Sequence, residues 1–251
     1  EGLENNIDIR IAIQQMLAAE AYVKQGKASY FPTLSAGPAV NHQILSPNSQ
    51  FGSFFDGSIT QYDVTGNLSW EADIWGKIRS NDRAFTAAYL QSEAAHKAVK
   101  TQLISNIANN YYQLLSLDEQ LRIAKETLET RKSSLETTMA LKDAGNVTEV
   151  GVQQTKAQLH TAEALVVQLE NQIRLLENSF SILLGAGPQE IERTDLSQQK
   201  IVSPLNTGVP SQLLRNRPDV IAAEYGLINA FELTNAARAN FYPSLTLTAS
   251  G

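Results

Sequence analysis

His42, His96 and His160 are the three histidines among 251 residues, and no two stand at the i, i+4 separation that would aim both imidazoles at one metal. Cysteine is absent, which removes thiolate ligands, thiol nucleophiles and disulfides together. The nearest thing to a phosphate-binding run, Gly185-Ala186-Gly187, follows a helical stretch rather than a strand and lacks a Lys-Ser/Thr partner. It reads as a helix stop. Asn146-Val147-Thr148 has the form of a glycosylation acceptor but reads more simply as a turn and helix cap. Tyr111 and Tyr112 lie in mid-helix, where neighbouring aromatics more often pack than offer a stacking platform. No nucleophile is paired with a base and no cofactor motif is present, so neither enzymatic chemistry, a metal nor a cofactor is expected.

Composition narrows the partners. At 43% hydrophobic and 18% charged residues the chain can bury a substantial core, as one large domain or two small ones. Twenty Lys and Arg stand against 26 Asp and Glu, a formal charge of −6. No basic cluster of the kind that neutralises phosphates occurs, and nucleic acid is not an expected partner. No window of 18 apolar residues exists, so a membrane role would fall to β-strands or a lipid anchor. The opening Glu-Gly-Leu-Glu-Asn-Asn lacks the basic and apolar regions of a secretion signal. Any such signal, or an acylated cysteine, would lie upstream of Glu1.

The elements follow from periodicity. Ile7, Ile11, Ala12, Met16 and Ala19 predict an amphipathic helix from Ile7 to about Lys27, ended by Pro32. Leu34, Ala36 and Val40 give a weaker strand signal, and Ser46 to Ser58 reads as a loop rich in Ser, Gly, Asn and Pro. Alternation then becomes regular. Tyr62, Val64, Leu68, Trp70, Ala72 and Ile74 share one face, and Asp63, Thr65, Asn67, Ser69, Glu71 and Asp73 share the other. A strand of that length matches the roughly 9–11 residues a tilted membrane-spanning strand needs, although a long solvent-facing hairpin would give the same pattern.

From about Lys77 to Lys142 there is neither proline nor glycine, and Ile107, Leu114, Leu121, Leu128 and Leu135 recur at steps of seven. A helix of that length spans on the order of 100 Å. Gly145 suits a left-handed helix end and Thr148 suits the next cap. A second helix carries Val152, Leu159, Val166, Ile173 and Phe180, with Ala162, Leu169, Leu176 and Leu183 three positions beyond. The two should pair as an antiparallel coiled coil. Gly185 to Pro188 ends the coil, irregular structure follows to about Pro210, and a last helix runs from about Pro218 to Ala239 before the alternating Leu245, Leu247 and Ala249. Pro218 and Asp219 read as first-turn residues favoured by helix geometry and dipole, in preference to a reading of Arg217 and Asp219 as assembly contacts.

Shifting the chain by 211 positions lays Tyr30-Phe31-Pro32-Thr33-Leu34 on Phe241-Tyr242-Pro243-Ser244-Leu245, and Asp8-Ile9 on Asp219-Val220. A helix followed by an aromatic-Pro strand entry therefore occurs twice. This is the expectation for the first half of an internally duplicated chain, in a protein nearly twice as long.

The run Pro210-Ser211-Gln212-Leu213-Leu214-Arg215-Asn216-Arg217-Pro218-Asp219-Val220, with Ala223-Glu224 and Phe241-Tyr242-Pro243-Ser244-Leu245, closely resembles the signature of TolC-like outer-membrane factors of the NodT lipoprotein group. Trp70-Glu71-Ala72-Asp73-Ile74-Trp75-Gly76-Lys77 resembles that family's strand-to-helix junction, and Gly145-Asn146-Val147-Thr148 its periplasmic turn. The resemblance implies a mainly α fold. A long antiparallel coiled-coil hairpin would form part of a periplasmic α-barrel, and a β-hairpin would belong to a trimeric transmembrane β-barrel. Residues 1–31 would be the first-repeat helix, 32–76 the barrel hairpin, 77–184 the coiled coil with its tip at 143–148, 185–216 an irregular equatorial segment and 217–251 the start of the second repeat.

By the same resemblance and the alternation together, Asp63, Thr65, Asn67, Ser69 and Glu71 would face the lumen, and Tyr62, Val64, Leu68 and Trp70 outer-membrane lipid. Lys142, Asp143, Ala144, Gly145, Asn146, Val147 and Thr148 would form the tip that meets a periplasmic adaptor, or membrane fusion protein. The expected partners are two further copies in a homotrimer, that adaptor and an inner-membrane pump of the resistance-nodulation-division (RND) type. The expected function is passive export of drugs or other toxic small compounds. Where relatives usually carry Asp after the turn this chain has Gly151, so no acidic ring is placed there. The competing reading, a periplasmic coiled-coil adaptor or scaffold, would share the hairpin but leaves the strand alternation and the repeat without a cause.

Overall fold

The computed structural model describes residues 2–44, 46, 58–199 and 214–251. Residues 47–57 of the expected loop, part of the expected irregular segment (200–213), and Pro210 to Leu213 of the signature lie outside the described residues. The elements are α1 (Gly2–Asn5), α2 (Ile7–Ala28), β1 (Thr33–Ile44), β2 (Ser58–Ala72), α3 (Lys77–Asp143), α4 (Glu149–Leu184), a 3-10 turn at Leu196–Gln198, α5 (Pro218–Ala239) and β3 (Leu245–Ser250). They form two compact units, one made of Glu1–Gln14 with Ala95–Pro218 and the other of Gln15–Ala94 with Asp219–Gly251.

The first unit is built on the seam between α3 and α4. Leu114, Val166, Leu169, Ile173 and Phe180 are buried together, with Ile107, Leu121, Leu128 and Leu176 packed at the margin. The seven-residue row on α3 has a companion that its spacing alone did not announce. Leu117 and Ala124, three positions beyond Leu114 and Leu121, complete the stripe a coiled-coil partner requires.

Asn6 separates α1 from α2 and explains why the helix begins where it does. Its side-chain oxygen accepts from the amides of Asp8 at 2.8 Å and Ile9 at 3.2 Å, satisfying two orphan donors of the first turn. Its amide nitrogen donates to the carbonyl of Leu183 at 3.0 Å, tying the cap to the end of α4. There α4 stops in a Schellman arrangement, with Gly185 at φ +72°, its N–H on the Ile182 carbonyl and that of Ala186 on the Ser181 carbonyl. A side chain at Gly185 would also meet the Asn5 carbonyl oxygen at 2.3 Å.

The described stretch after α4 is irregular apart from the 3-10 turn at Leu196–Gln198, as its composition suggests, and it is strapped onto the hairpin. Ile191 enters the core. Arg193 binds the Asp118 carboxylate on α3 through Nε and Nη2, and through Nη1 it donates to Glu177 Oε1 on α4 and to the Ile191 carbonyl.

The second unit carries a sheet of order β1-β2-β3, antiparallel throughout. Its helices approach closely because small residues lie at the contacts: Ala84, Ala87, Ala94, Ala236 and Ala239 are buried. A Cβ at Gly26 would come within 2.7 Å of the Phe85 ring. Asn229 on α5 donates to the carbonyl of Ala84 on α3 at 2.7 Å. Pro218 opens α5 and Asp219 sits in its first turn, where the fixed φ of proline and the positive end of the helix dipole favour them.

Candidate functional site: a two-faced strand wall and a helical tip

The strand wall is defined by register. In an antiparallel pair, residues directly opposite share a face. β1 aligns Thr33 with Ser69, Ser35 with Asn67, Gly37 with Thr65 and Ala39 with Asp63. β3 adds Thr246 beside Glu71, Thr248 beside Ser69 and Ser250 beside Asn67. Asp63, Thr65, Asn67, Ser69 and Glu71 therefore lie on one face with hydroxyl, amide and small residues on both sides. Leu34 pairs with Leu68, Pro38 with Val64 and Val40 with Tyr62 on the other face, joined by Leu247 beside Trp70 and Ala249 beside Leu68. That face is bare: Tyr62 is 78% and Val64 80% exposed. Its apolar run ends where His42 pairs with Thr60, their Nδ1 and Oγ1 2.8 Å apart.

The strand differs from expectation at both ends. β2 begins at Ser58, earlier than Tyr62, and it ends at Ala72, so Asp73 and Ile74 belong to neither face. The cause lies in the next helix. The Asp73 carboxylate accepts from the amides of Ile78 and Arg79, each at 2.9 Å, and capping the first turn of α3 takes the residue out of the pleat. Gly76, at φ +74°, makes the bend between strand and helix.

Two tryptophans hold this junction, one on each copy of the aromatic-Pro motif. Trp70 Nε1 donates to the carbonyl of Tyr30 at 2.9 Å, and Trp75 Nε1 to that of Pro243 at 2.9 Å. Trp75 also stacks on Tyr242, with centroids 4.6 Å apart. Lys77 donates to both oxygens of Glu71, at 3.0 and 3.2 Å.

The tip is a second Schellman end. Gly145, at φ +78°, gives its N–H to Lys142, and Asn146 reaches the Leu141 carbonyl at 2.8 Å. Lys142 and Asp143 close α3, Ala144 to Val147 make the turn, and Thr148 occupies the N-cap of α4. Thr148 makes no side-chain cap bond there, contrary to the capping role its type implies. The turn is instead bridged by an ion pair between Lys142 Nζ and Glu149 Oε2, and Glu149 Oε1 accepts from Gln153 at 2.7 Å. Hydrogen bonding to Lys142 holds the Glu149 carboxyl below its ordinary value, with Gln153 adding to it, and the same bond raises Lys142. Glu149, like the exposed Met139, Leu141 and Val150 around it, was not singled out from sequence. The signal was available: the heptad seam falls silent beyond Leu135 while apolar residues continue.

Elsewhere the structure gives the candidate chemical groups ordinary surroundings. His160 pairs with Glu163 one turn away at 2.8 Å, and Tyr111 packs beside the seam with its hydroxyl 3.5 Å from Thr194 Oγ1.

A polar-and-apolar strand sheet feeding a long antiparallel helical hairpin is the architecture of half a TolC-type channel protomer. The chain belongs to the outer membrane efflux protein family, whose model matches residues 1–186. The toluene efflux pump outer membrane protein TtgF of Pseudomonas putida is 31% identical over 254 residues, covering 99% of this chain and 52% of that protein. The probable outer membrane lipoprotein SilC of Salmonella typhimurium is 32% identical, covering 99% and 53%. The outer membrane channel MtrE of Neisseria gonorrhoeae, in its open state, has a similar structure, with a TM-score of 0.80 and 27% identity over 99% of this chain and 55% of that one. The chain thus spans about half the length of the curated relatives it matches.

Proposed function

We propose that this chain supplies part of the wall of a passive outer-membrane export duct, reaching through the periplasm toward an adaptor and an RND-type inner-membrane pump. The observation that carries the reading is the agreement of three paired strands on one polar and one apolar face. A solvated sheet has no need for a second face as apolar as Leu34, Val40, Tyr62, Val64, Leu68 and Leu247. A sheet between lipid and a wet lumen needs it over the part of the strand that crosses the hydrocarbon. Tyr62 and Trp70 stand at opposite ends of the apolar run, about 27 Å apart along a strand. With a tilt of about 40° they span about 20 Å of bilayer depth, as interfacial aromatics do.

Three strands cannot enclose a lumen, and an open edge in hydrocarbon leaves backbone groups unpaired at several kcal/mol each, so assembly with further strands is compulsory in this reading. A homotrimer with a shared barrel meets that need. At the other end, Lys142 to Thr148, with the exposed Leu141 and Val150 nearby, form the surface that docks the adaptor, and the cargo is drugs or other toxic small compounds. Light scattering of the intact protein in detergent, corrected for bound detergent, tests the assembly. A trimer is the expected result; a monomer would leave too few strands for a lumen and would favour a periplasmic coiled-coil scaffold.

A further inference from the structure

The polar face of the described strands carries very little charge. Its residues are mostly neutral Thr, Ser, Asn and Gln, and among the described residues on that face only Asp63 and Glu71 are ionic. The two carboxylates are placed differently. Asp63 accepts from the neutral amide of Gln61 at 2.8 Å, which leaves its charge in place. Glu71 has both oxygens on the Lys77 ammonium, so its charge is cancelled at contact distance.

Lys77 stands where a cation has reason not to be. It is the first residue of α3, where the positive end of a helix dipole disfavours an ammonium. The Asp73 cap and the Glu71 carboxylate offset that cost. Their arrangement holds a lysine beside a strand residue six positions earlier, across the bend at Gly76. Each side chain keeps about a third of its surface in solvent, 36% for Lys77 and 34% for Glu71. The pair borders a cavity of about 460 Å³ on the polar face, whose other walls include Ser29, Thr33, Ser69 and Asn81.

We propose that Glu71 and Lys77 form a charge-balancing pair that sets the ionic selectivity of the duct at the junction of strands and helices. Among the described residues, Asp63 is left as the uncompensated anionic site on the strand wall. The inference rests on the polar face being the lumen. Three copies of a cancelled pair place no net field at the junction, whereas three copies of either partner alone place three like charges around one aqueous path. Charges lining a low-dielectric wall change the local concentration of counter-ions severalfold, and the effect shrinks as salt shortens the Debye length to about 10 Å at 0.1 M.

The test is the reversal potential of the intact protein in planar bilayers under a KCl gradient at low salt. Lys77→Gln should raise the potassium-to-chloride permeability ratio severalfold, and Glu71→Gln should lower it severalfold. The double variant should return to the wild-type ratio, and Asp63→Asn should lower it. Opposite signs with restoration in the double variant are a signature that a merely structural role would not give. Wild-type-like ratios in both single variants with conductance intact, or shifts of the same sign, would overturn the charge-balancing role while leaving the duct standing. A wild-type protein that conducts no ions would overturn the duct itself, and this inference with it.

Discussion

Arg193 donates through Nη1 to Glu177 Oε1 at 2.5 Å while its Nε and Nη2 occupy the carboxylate of Asp118, so one guanidinium joins α3, α4 and the segment that follows them. The three groups are not equally placed. The side chains of Arg193 and Glu177 are 15% and 12% exposed, whereas Asp118 keeps 37% of its surface in solvent. Hydrogen bonding to Asp118 is the chief influence holding the guanidinium above its ordinary value, acting against desolvation. Arg193→Met should strand a buried Glu177 carboxylate and cost about 3–5 kcal/mol in denaturant unfolding of the hairpin. Adding Glu177→Met should recover most of that loss, because Asp118 can hydrate. A double variant as unstable as the single one would show that the strap acts through packing of Ile191 rather than through charge.

The glycines at the two helix ends should separate conformation from contact. Gly145 and Gly185 have nearly the same dihedral, φ +78° and +72°. A Cβ at Gly145 meets nothing within 4 Å, whereas one at Gly185 falls 2.3 Å from a backbone oxygen of Asn5. Gly145→Ala should therefore cost only the left-handed penalty, about 1–2 kcal/mol. Gly185→Ala should cost clearly more, because the Asn6 cap and its bond to Leu183 must shift with α1. Thermal unfolding of the two variants compares them directly, and equal losses would mean that α1 moves aside freely.

The sequence disclosed what repeats and concealed what is met once. Heptad rows of Leu, Ile and Val specified the hairpin and its turn, because burying a stripe every 3.5 residues leaves few other packings. Alternation from Tyr62 specified the two faces, and the register of β1 and β3 agrees with it residue by residue. The 211-residue shift identified both aromatic-Pro entries. It did not show that Trp70 and Trp75 would each bind one of them, since those contacts cross 40 and 168 positions. Asp73 fitted the alternation and yet left the strand, because a helix N-terminus competes for a carboxylate more strongly than a pleat does. Arg193 sat in a stretch with no period, where spacing carries no information and only a tertiary contact gives the residue its role.

The two faces of β2 should respond oppositely to the same charge. Val64→Arg places a guanidinium beside Pro38 and Tyr62, a short way inside the Tyr62 interface, and should cost more than the ~0–1 kcal/mol of an interfacial site though less than the ~2–4 kcal/mol of the bilayer middle. Thr65→Arg, one residue on, points into the polar face and should cost little. The measurement is the fraction of protein recovered as assembled oligomer from outer membranes. Equal recovery of the two variants would contradict the assignment of lipid and lumen sides.

At the tip, Lys142 and Glu149 should make the turn sensitive to acid. Glu149 is held below its ordinary 4.5, first by hydrogen bonding to Lys142 and then by Gln153. Its contribution is present above 4.5 and is lost as the pH falls through the depressed value of the folded tip. Lys142 is raised above 10.5 by the same bond, with a smaller contribution from Asp143. Its contribution is present below 10.5 and is lost only as the pH rises beyond the raised value. The pair is therefore complete across the neutral range and opens from the acid side first. Amide exchange at Gly145 to Val147, corrected for intrinsic rates, should accelerate in the wild type as the pH falls below Glu149's ordinary value, tracking its protonation. In Glu149→Gln the tip should already exchange at the faster level at neutral pH and change little on acidification. If the wild-type turn exchanges at one rate throughout, the Schellman bonds of Gly145 and Asn146 hold the tip without the ion pair, and adaptor docking should then be indifferent to Lys142→Gln.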